Sequence, residues 1–284
     1  MSSLPLIALV ASIALMYVIG VRIFRSVLFG LLNSSIFAAT PLLWSQSRNA
    51  PASIYALPII IGWLLAAVQE SRVSWWAMAG GLLGVGVYIS YASAIMMLVY
   101  VVVTLVMVGA TRAVPNRQLV VFVVVFALTA SPLALYLAWH PANFRTAVMA
   151  SRLYDANRFN VLQGIREMTS WVGLTARSEV YYDYFDPAFL FLTGRVLLLP
   201  LVVLIPFGLY RILAYESALV ARLAVAGYLA APFAAALTAE APIPRRILFI
   251  TPFAAILASY GLQQLVSWRK PRPDADRPEP KAES

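Results

Sequence analysis

The stretch ASAIMMLVYVVVTLVMVGA, residues 92–110, decides the fold class. It carries no charged residue. A helix needs roughly 20 apolar residues to cross about 30 Å of hydrocarbon, and this run supplies them. Lipid offers the backbone no hydrogen-bond partner, so such a run must satisfy its own N–H and C=O groups as a helix. Similar runs lie on both sides of it. We read nine spans, at 4–21, 26–44, 54–69, 75–90, 92–110, 119–138, 196–213, 222–238 and 247–267. The fourth and fifth are nearly continuous, with Tyr88 to Ser93 left to make the turn. Alternating polar and apolar 10-mers, the sign of an outer-membrane barrel, are absent. The expected architecture is an all-α, polytopic membrane protein. Residues 1–138 hold the first six transmembrane helices, 139–195 one large outward loop, 196–268 the last three helices, and 269–284 a tail.

Composition agrees. The chain is 62% hydrophobic and 12% charged, with a mean hydropathy of +0.81. That balance does not describe a soluble globule. The formal charge of +9 would suit nucleic acid, but its source is simpler, because basic residues collect in loops on one side of the membrane. Nucleic acid is therefore not an expected partner; the lipid bilayer is. With no cysteine, disulfides, Cys-ligated zinc and Cys nucleophiles are excluded. A single histidine, His140, cannot build a multi-His metal site, and no metal or cofactor is expected. Leu4 to Val21 has no positive region before it and no small-residue cleavage site after it, so it reads as a retained span.

Lys and Arg placement sets the orientation. With the N-terminus outside, the inner loops hold Arg22, Arg25, Arg72, Arg112, Arg117, Arg211 and Arg222. The tail adds Arg269, Lys270, Arg272, Arg277 and Lys281. Short outer loops hold only Arg48, Arg245 and Arg246. The C-terminus is then cytoplasmic, and the tail, rich in Pro and charge, reads as disordered, with its RKPR cluster suited to anionic lipid.

The long loop is not disordered by composition. Asn160 with Gln163 makes an N-cap pair, and Val161, Ile165, Met168 and Val172 recur at helical spacing opposite Arg166 and Glu167. Phe144, Ala147, Val148 and Ser151 suggest a short helix before it. Trp171, Tyr181, Tyr182 and Tyr184 belong at headgroup level.

Candidate chemistry is sparse. The cluster Gly80, Gly81, Gly84 and Gly86 lacks the preceding strand that a phosphate loop needs, and suits close helix packing. Asn33, Ser34 and Ser35 are the most polar group within a span, placed to bridge helices. Mid-membrane ionisable residues, the usual mark of a proton or ion relay, are almost absent. On the outer side, Arg245 and Arg246 run against the positive-inside tendency and ask for an anion. Lipid phosphate would serve, with guanidinium forks on its oxygens; headgroup anchoring or pairing with Glu240 would also account for them. Arg48 is a further candidate. Asp183 and Asp186, in YYDYFDP, are weak catalytic candidates. They suit a carboxylate pair with metal and substrate phosphate, a general base, or simply a polar, aromatic approach to the next span.

Several segments, in order, resemble the GT-C glycosyltransferases, in particular the protein O-mannosyltransferase and aminoarabinose-transferase branch. FAATPLLWSQSRNA (37–50) is similar to that family's helix end with Pro, an aromatic and Ser-Arg. WWAMAGGLLGVGVYISYAS (75–93) resembles its Trp-bearing, Gly-rich helix and Tyr-containing turn. YFDPAFLFLTG (184–194) resembles a segment ending a periplasmic loop, and RRILFITPFAAILASYGL (245–262) a basic start to a late helix. The resemblance implies a bacterial inner-membrane enzyme that takes a sugar from a polyprenyl-phosphate donor at the outer face. An acceptor hydroxyl, deprotonated by a carboxylate, attacks the anomeric carbon with inversion. On this resemblance Arg245 and Arg246, and less directly Arg48, contact the lipid phosphate. The family's principal catalytic Asp lies in a first outer loop that would precede this chain's first span, and its second acidic position falls near Ser53. The expectation is thus a chain without that base: a fragment, a displaced start, half of a split enzyme or an inactive relative. The alternative to an enzyme is a transporter or flippase component, or an assembly partner.

Overall fold

The computed structural model describes residues 4–49, 52–69, 72–150, 153–154, 159–238 and 241–269. Every regular element among the described residues is helical. The chain begins with α1 (Leu4–Phe24), α2 (Val27–Ala38) and α3 (Pro41–Asn49), then a 3-10 turn at Ala52–Tyr55 leading into α4 (Ala56–Ala67). α5 (Val73–Gly86), α6 (Tyr91–Thr111) and α7 (Asn116–Trp139) follow. The loop carries α8 (Pro141–Ala150), α9 (Val161–Met168), α10 (Trp171–Asp183) and a π turn at Ala188–Leu192. The chain closes with α11 (Leu201–Tyr215), α12 (Leu219–Ala230), the single turn α13 (Phe233–Ala236), a 3-10 segment at Pro244–Ile250 and α14 (Thr251–Arg269).

A helix stands at each of the nine expected positions, but the lengths differ. Among the described residues, five helical stretches are long and apolar enough to cross a membrane, and a sixth arises if the bent pair of α2 and α3 counts as one. Ala52–Ala67, Val73–Gly86 and Leu201–Tyr215 are apolar but shorter. The bend between α2 and α3 is 54°. Pro41 disfavours helical backbone at Thr40, and the indole of Trp44 donates to the Ala38 carbonyl at 2.6 Å, closing the break.

Glycine lets the helices meet backbone to backbone. A Cβ on Gly80 would run into the Phe122 carbonyl oxygen, and one on Gly84 into Thr129, so the expected glycine-cluster packing is realised between α5 and α7. The α11–α14 crossing is reciprocal. A Cβ on Gly208 would strike the Leu257 carbonyl, and one on Gly261 the Leu204 carbonyl. One turn further along both helices, Arg211 donates to Gln264 at 2.9 Å. α14 and its 3-10 lead-in form the centre of the bundle: 89% of their apolar stretch is buried, against 11% for α7. Asn33 bridges three helices, as its sequence position suggested. Its amide nitrogen donates to Met16 O of α1 at 2.7 Å, and Ser259 of α14 donates to its carbonyl oxygen at 3.2 Å. Ser34 instead bonds Leu31 O within its own helix, and Ser35 is exposed.

The bundle thus has a loop end and an opposite end. The turns at Arg25 and Arg112, both in the left-handed backbone region (φ 51° and 50°), lie at the opposite end. There a basic side chain at a helix C-terminus complements the helix dipole.

The loop differs from the expected pattern in three places. Val172 does not continue the helix of Val161, Ile165 and Met168. The chain breaks at Thr169–Ser170, and Ser170 starts a second helix by accepting from Gly173 N at 3.1 Å. The Asn160–Gln163 capping box itself is present, with both reciprocal bonds. Tyr184 is not at the surface: it is fully buried, whereas Trp171 and Tyr182 are exposed and Tyr181 is half-buried. The turn between the fourth and fifth spans is shorter than Tyr88–Ser93, because Ser90 already caps α6. Ser151, Glu240 and the RKPR part of the tail from Lys270 lie outside the described residues, as do the side chains of Phe144 and Ala147.

Candidate functional site

The long helix α6 starts at the loop end. Ser90 caps it, its hydroxyl accepting from Ser93 N at 3.1 Å. The peptide dipoles of this 21-residue helix therefore point their positive end at the loop side of the bundle. Opposite that start stands the 3-10 segment Pro244–Ile250. Its tight winding, three residues per turn, sets successive side chains about 120° apart. The adjacent arginines consequently part company. Arg245 is exposed, while Arg246 is half-buried and donates from Nη1 to Thr238 Oγ1 at 2.7 Å. Arg246 lines a cleft of about 270 Å³ together with Ser90, Tyr91, Ala92, Leu153 and Thr238. The cleft thus joins a guanidinium, three hydroxyl-bearing residues and a helix N-terminus, a combination that favours an anion over a cation or an apolar group.

The other expected residues are placed apart from this cleft. Arg48 is exposed on α3. The side chain of neither Arg48 nor Arg245 makes a hydrogen bond or ion pair among the described residues. The α3 helix does pack on the 3-10 segment, so Arg48 belongs to the same end of the molecule. Asp183 and Asp186 are both exposed, and neither lines the cleft. Asp186 plays a local structural role, because its Oδ1 accepts from Ala188 N at 3.0 Å and holds the turn that opens the π segment. Asp183 ends α10, and its carbonyl accepts from Asp186 N at 3.2 Å. His140 caps the end of α7, its ring stacked on Tyr136 at 4.5 Å.

Two residues organise this end: Arg177, which sequence reasoning passed over, and Tyr184, which it read as a headgroup-level aromatic. Arg177 of α10 donates to three carbonyls, those of Leu237, Gly173 and Leu153, each at 3.0 Å. It ties the loop helix to the segment after α13 and to the stretch of chain before α9. Burial lowers its guanidinium pKa from the ordinary value, and the Glu167 carboxylate offsets part of that. Tyr184 accepts from Ile243 N at 3.2 Å, one residue before the 3-10 segment. Tyr181 joins this framework by donating to Leu229 O at 2.8 Å. Its phenol pKa is raised, first by burial and then by neighbouring Tyr182. A wider, mostly apolar cleft of about 690 Å³ lies beside Arg177 and Tyr181, against Ala226, Leu229 and Phe233. Ser90, directly before an apolar run, was a readable cap signal. Nothing in the sequence announced that Arg177 would reach Leu237, or Tyr184 would meet Ile243, 60 and 59 residues away.

Comparisons with family models, with curated proteins and with solved structures gave no match.

Proposed function

We propose that this chain is a bacterial inner-membrane protein crossing nine times, with the N-terminus outside, the long loop periplasmic and the C-terminus cytoplasmic. Its loop-end cleft binds a lipid phosphate. In the reading we favour, it is a GT-C-type glycosyltransferase component that handles a polyprenyl-phosphate sugar donor. One observation carries the reading: Arg246 and the N-terminus of α6 face a common cleft. Fixed donors of this kind stabilise negative charge as it develops on a departing phosphate. Arg246 takes the phosphate oxygens, with the Ser90 end of α6 supplying dipole and hydroxyl. Arg245, exposed and outside the cleft, attracts the anionic substrate from a distance and makes no contact within the cleft. The base that deprotonates the acceptor is assigned to no residue of this chain, and Asp183 and Asp186 are not given that role. The ordered sequence resemblance supplies sugar transfer as the chemistry; the cleft supports only the phosphate half of it.

The test is binding of a polyprenyl phosphate to the purified full chain in nanodiscs. Arg246→Ala should weaken binding by roughly tenfold or more, the order expected for one charge-assisted contact worth about 1.5–3 kcal/mol. Arg245→Ala should change it less than about threefold at physiological salt, where exposed charges are screened. Equal losses in the two variants, or none in Arg246→Ala, would remove the assignment.

A further inference from the structure

A cleft of about 360 Å³ lies between α6, α11 and α12, opening at the end of the bundle opposite the loop and running inward to Leu229, which also borders the apolar cleft beside Tyr181. Met107, Ile212, Val225 and Leu229 give it an apolar wall, and Glu216 and Arg222 form its charged rim. Both charged residues are half-buried. Their backbone N–H groups are bonded, to Ile212 O and Ala218 O. Their side chains make no hydrogen bond or ion pair among the described residues, with each other or with a neighbour. Arg211, on the same helix as Glu216, is turned to Gln264 instead.

Each of the two charges also stands at the wrong end of a helix. Glu216 is the C-cap of α11, where the dipole is negative, and Arg222 lies in the opening turn of α12, where it is positive. The helix dipoles disfavour both and no direct ion pair among the described residues offsets them, although Glu216 and Arg211 both act on the Tyr260 phenol, so each gains from an outside counter-charge: a cation beside Glu216 and an anion beside Arg222. The order along the axis adds a second constraint. Glu216 lies beyond the helix ends, Arg222 is one turn inside α12, and the apolar wall continues inward to Leu229. From Arg222 to Leu229 is about 10 Å of helix. A ligand that fits must therefore present a cation outermost, an anion next and hydrocarbon innermost.

We propose that this cleft binds a phospholipid with a primary ammonium headgroup, phosphatidylethanolamine. Its ammonium meets Glu216, its phosphate meets Arg222, and one acyl chain lies along α12. A primary ammonium donates hydrogen bonds to a carboxylate, which a quaternary choline cannot do, and glycerol headgroups bring no cation at all. The site is distinct from the loop-end cleft and does not depend on Arg246.

Native mass spectrometry of the delipidated full chain tests this, with phosphatidylethanolamine, phosphatidylcholine and phosphatidylglycerol of identical acyl chains as probes. Wild type should retain the ethanolamine lipid at least about fivefold better than the other two. Glu216→Gln should abolish that preference while leaving phospholipid binding itself. Arg222→Gln should weaken all three lipids, and Arg222→Lys should restore them. Arg246→Ala should keep the preference. Equal retention of the three lipids by wild type, or an unchanged preference in Glu216→Gln, overturns the proposal. Glu216 and Arg222 are both half-exposed rim positions, and a thermal melt on each variant confirms that the comparison is between folded proteins.

Discussion

The α11–α14 crossing and the loop end hold helices together by opposite means. At the crossing, Gly208 and Gly261 let backbones touch, and the contact is made of carbonyls and Cα atoms. At the loop end, long side chains reach across gaps. Arg177 grips three carbonyls, and Tyr181 and Tyr184 each fix one backbone group. The difference is what the membrane setting proposed above would produce. Between helices bathed in hydrocarbon there is little hydrophobic drive, so close packing through small residues must supply the attraction. Near headgroups and water, polar side chains can be ordered around backbone groups that a helix end leaves unpaired.

Gly208→Leu should break the first region most severely. Forcing a side chain into the Leu257 backbone should cost about 3 kcal/mol or more, the upper range for overpacking a tight core, and appear as lost folded yield or a large fall in melting temperature. Next comes Asn33→Leu, which removes the bridge among α1, α2 and α14. Interhelical hydrogen bonds in membranes are worth about 0.6–2 kcal/mol, so unfolding measured in detergent should show a moderate loss. Arg177→Ala should act on the second region alone. It should raise hydrogen exchange and proteolysis in residues 159–183 while leaving global stability within about 1 kcal/mol, because its three bonds join only loop-end segments, which can open separately from the bundle. A uniform loss of protection over the whole bundle would mean that the two regions are one cooperative unit. The smallest effect belongs to Gly109→Ala. Nothing lies within 4 Å of a Cβ there, so helix propensity alone predicts a gain of up to about 1 kcal/mol.

The sequence was readable where local rules suffice. Apolar runs placed the helices, the Asn160–Gln163 pair placed the start of α9, and the Gly80–Gly84 spacing marked a packed face. It was unreadable where distant chain segments decide. Gly208 and Gly261 each look like an isolated glycine until α11 meets α14, 53 residues apart at the Arg211–Gln264 bond. Tyr184 reads as a surface aromatic beside three others, and only the return of the chain at Ile243 buries it. The doublet Arg245–Arg246 reads as one charge centre, but a 3-10 winding splits it. The α2–α3 bend and the break at Ser170 did carry signals, a Pro and a capping Ser. They were outweighed by continuous periodicity on either side.

The Tyr184 phenol has a mechanical consequence. It is a rigid strut between the last residues of the loop helices and the backbone just ahead of Arg246. Lifting α10 away would strand the Ile243 N–H without its acceptor, which resists hinging at that joint. A displacement of α10 therefore loads the backbone one residue ahead of the 3-10 segment that carries both arginines.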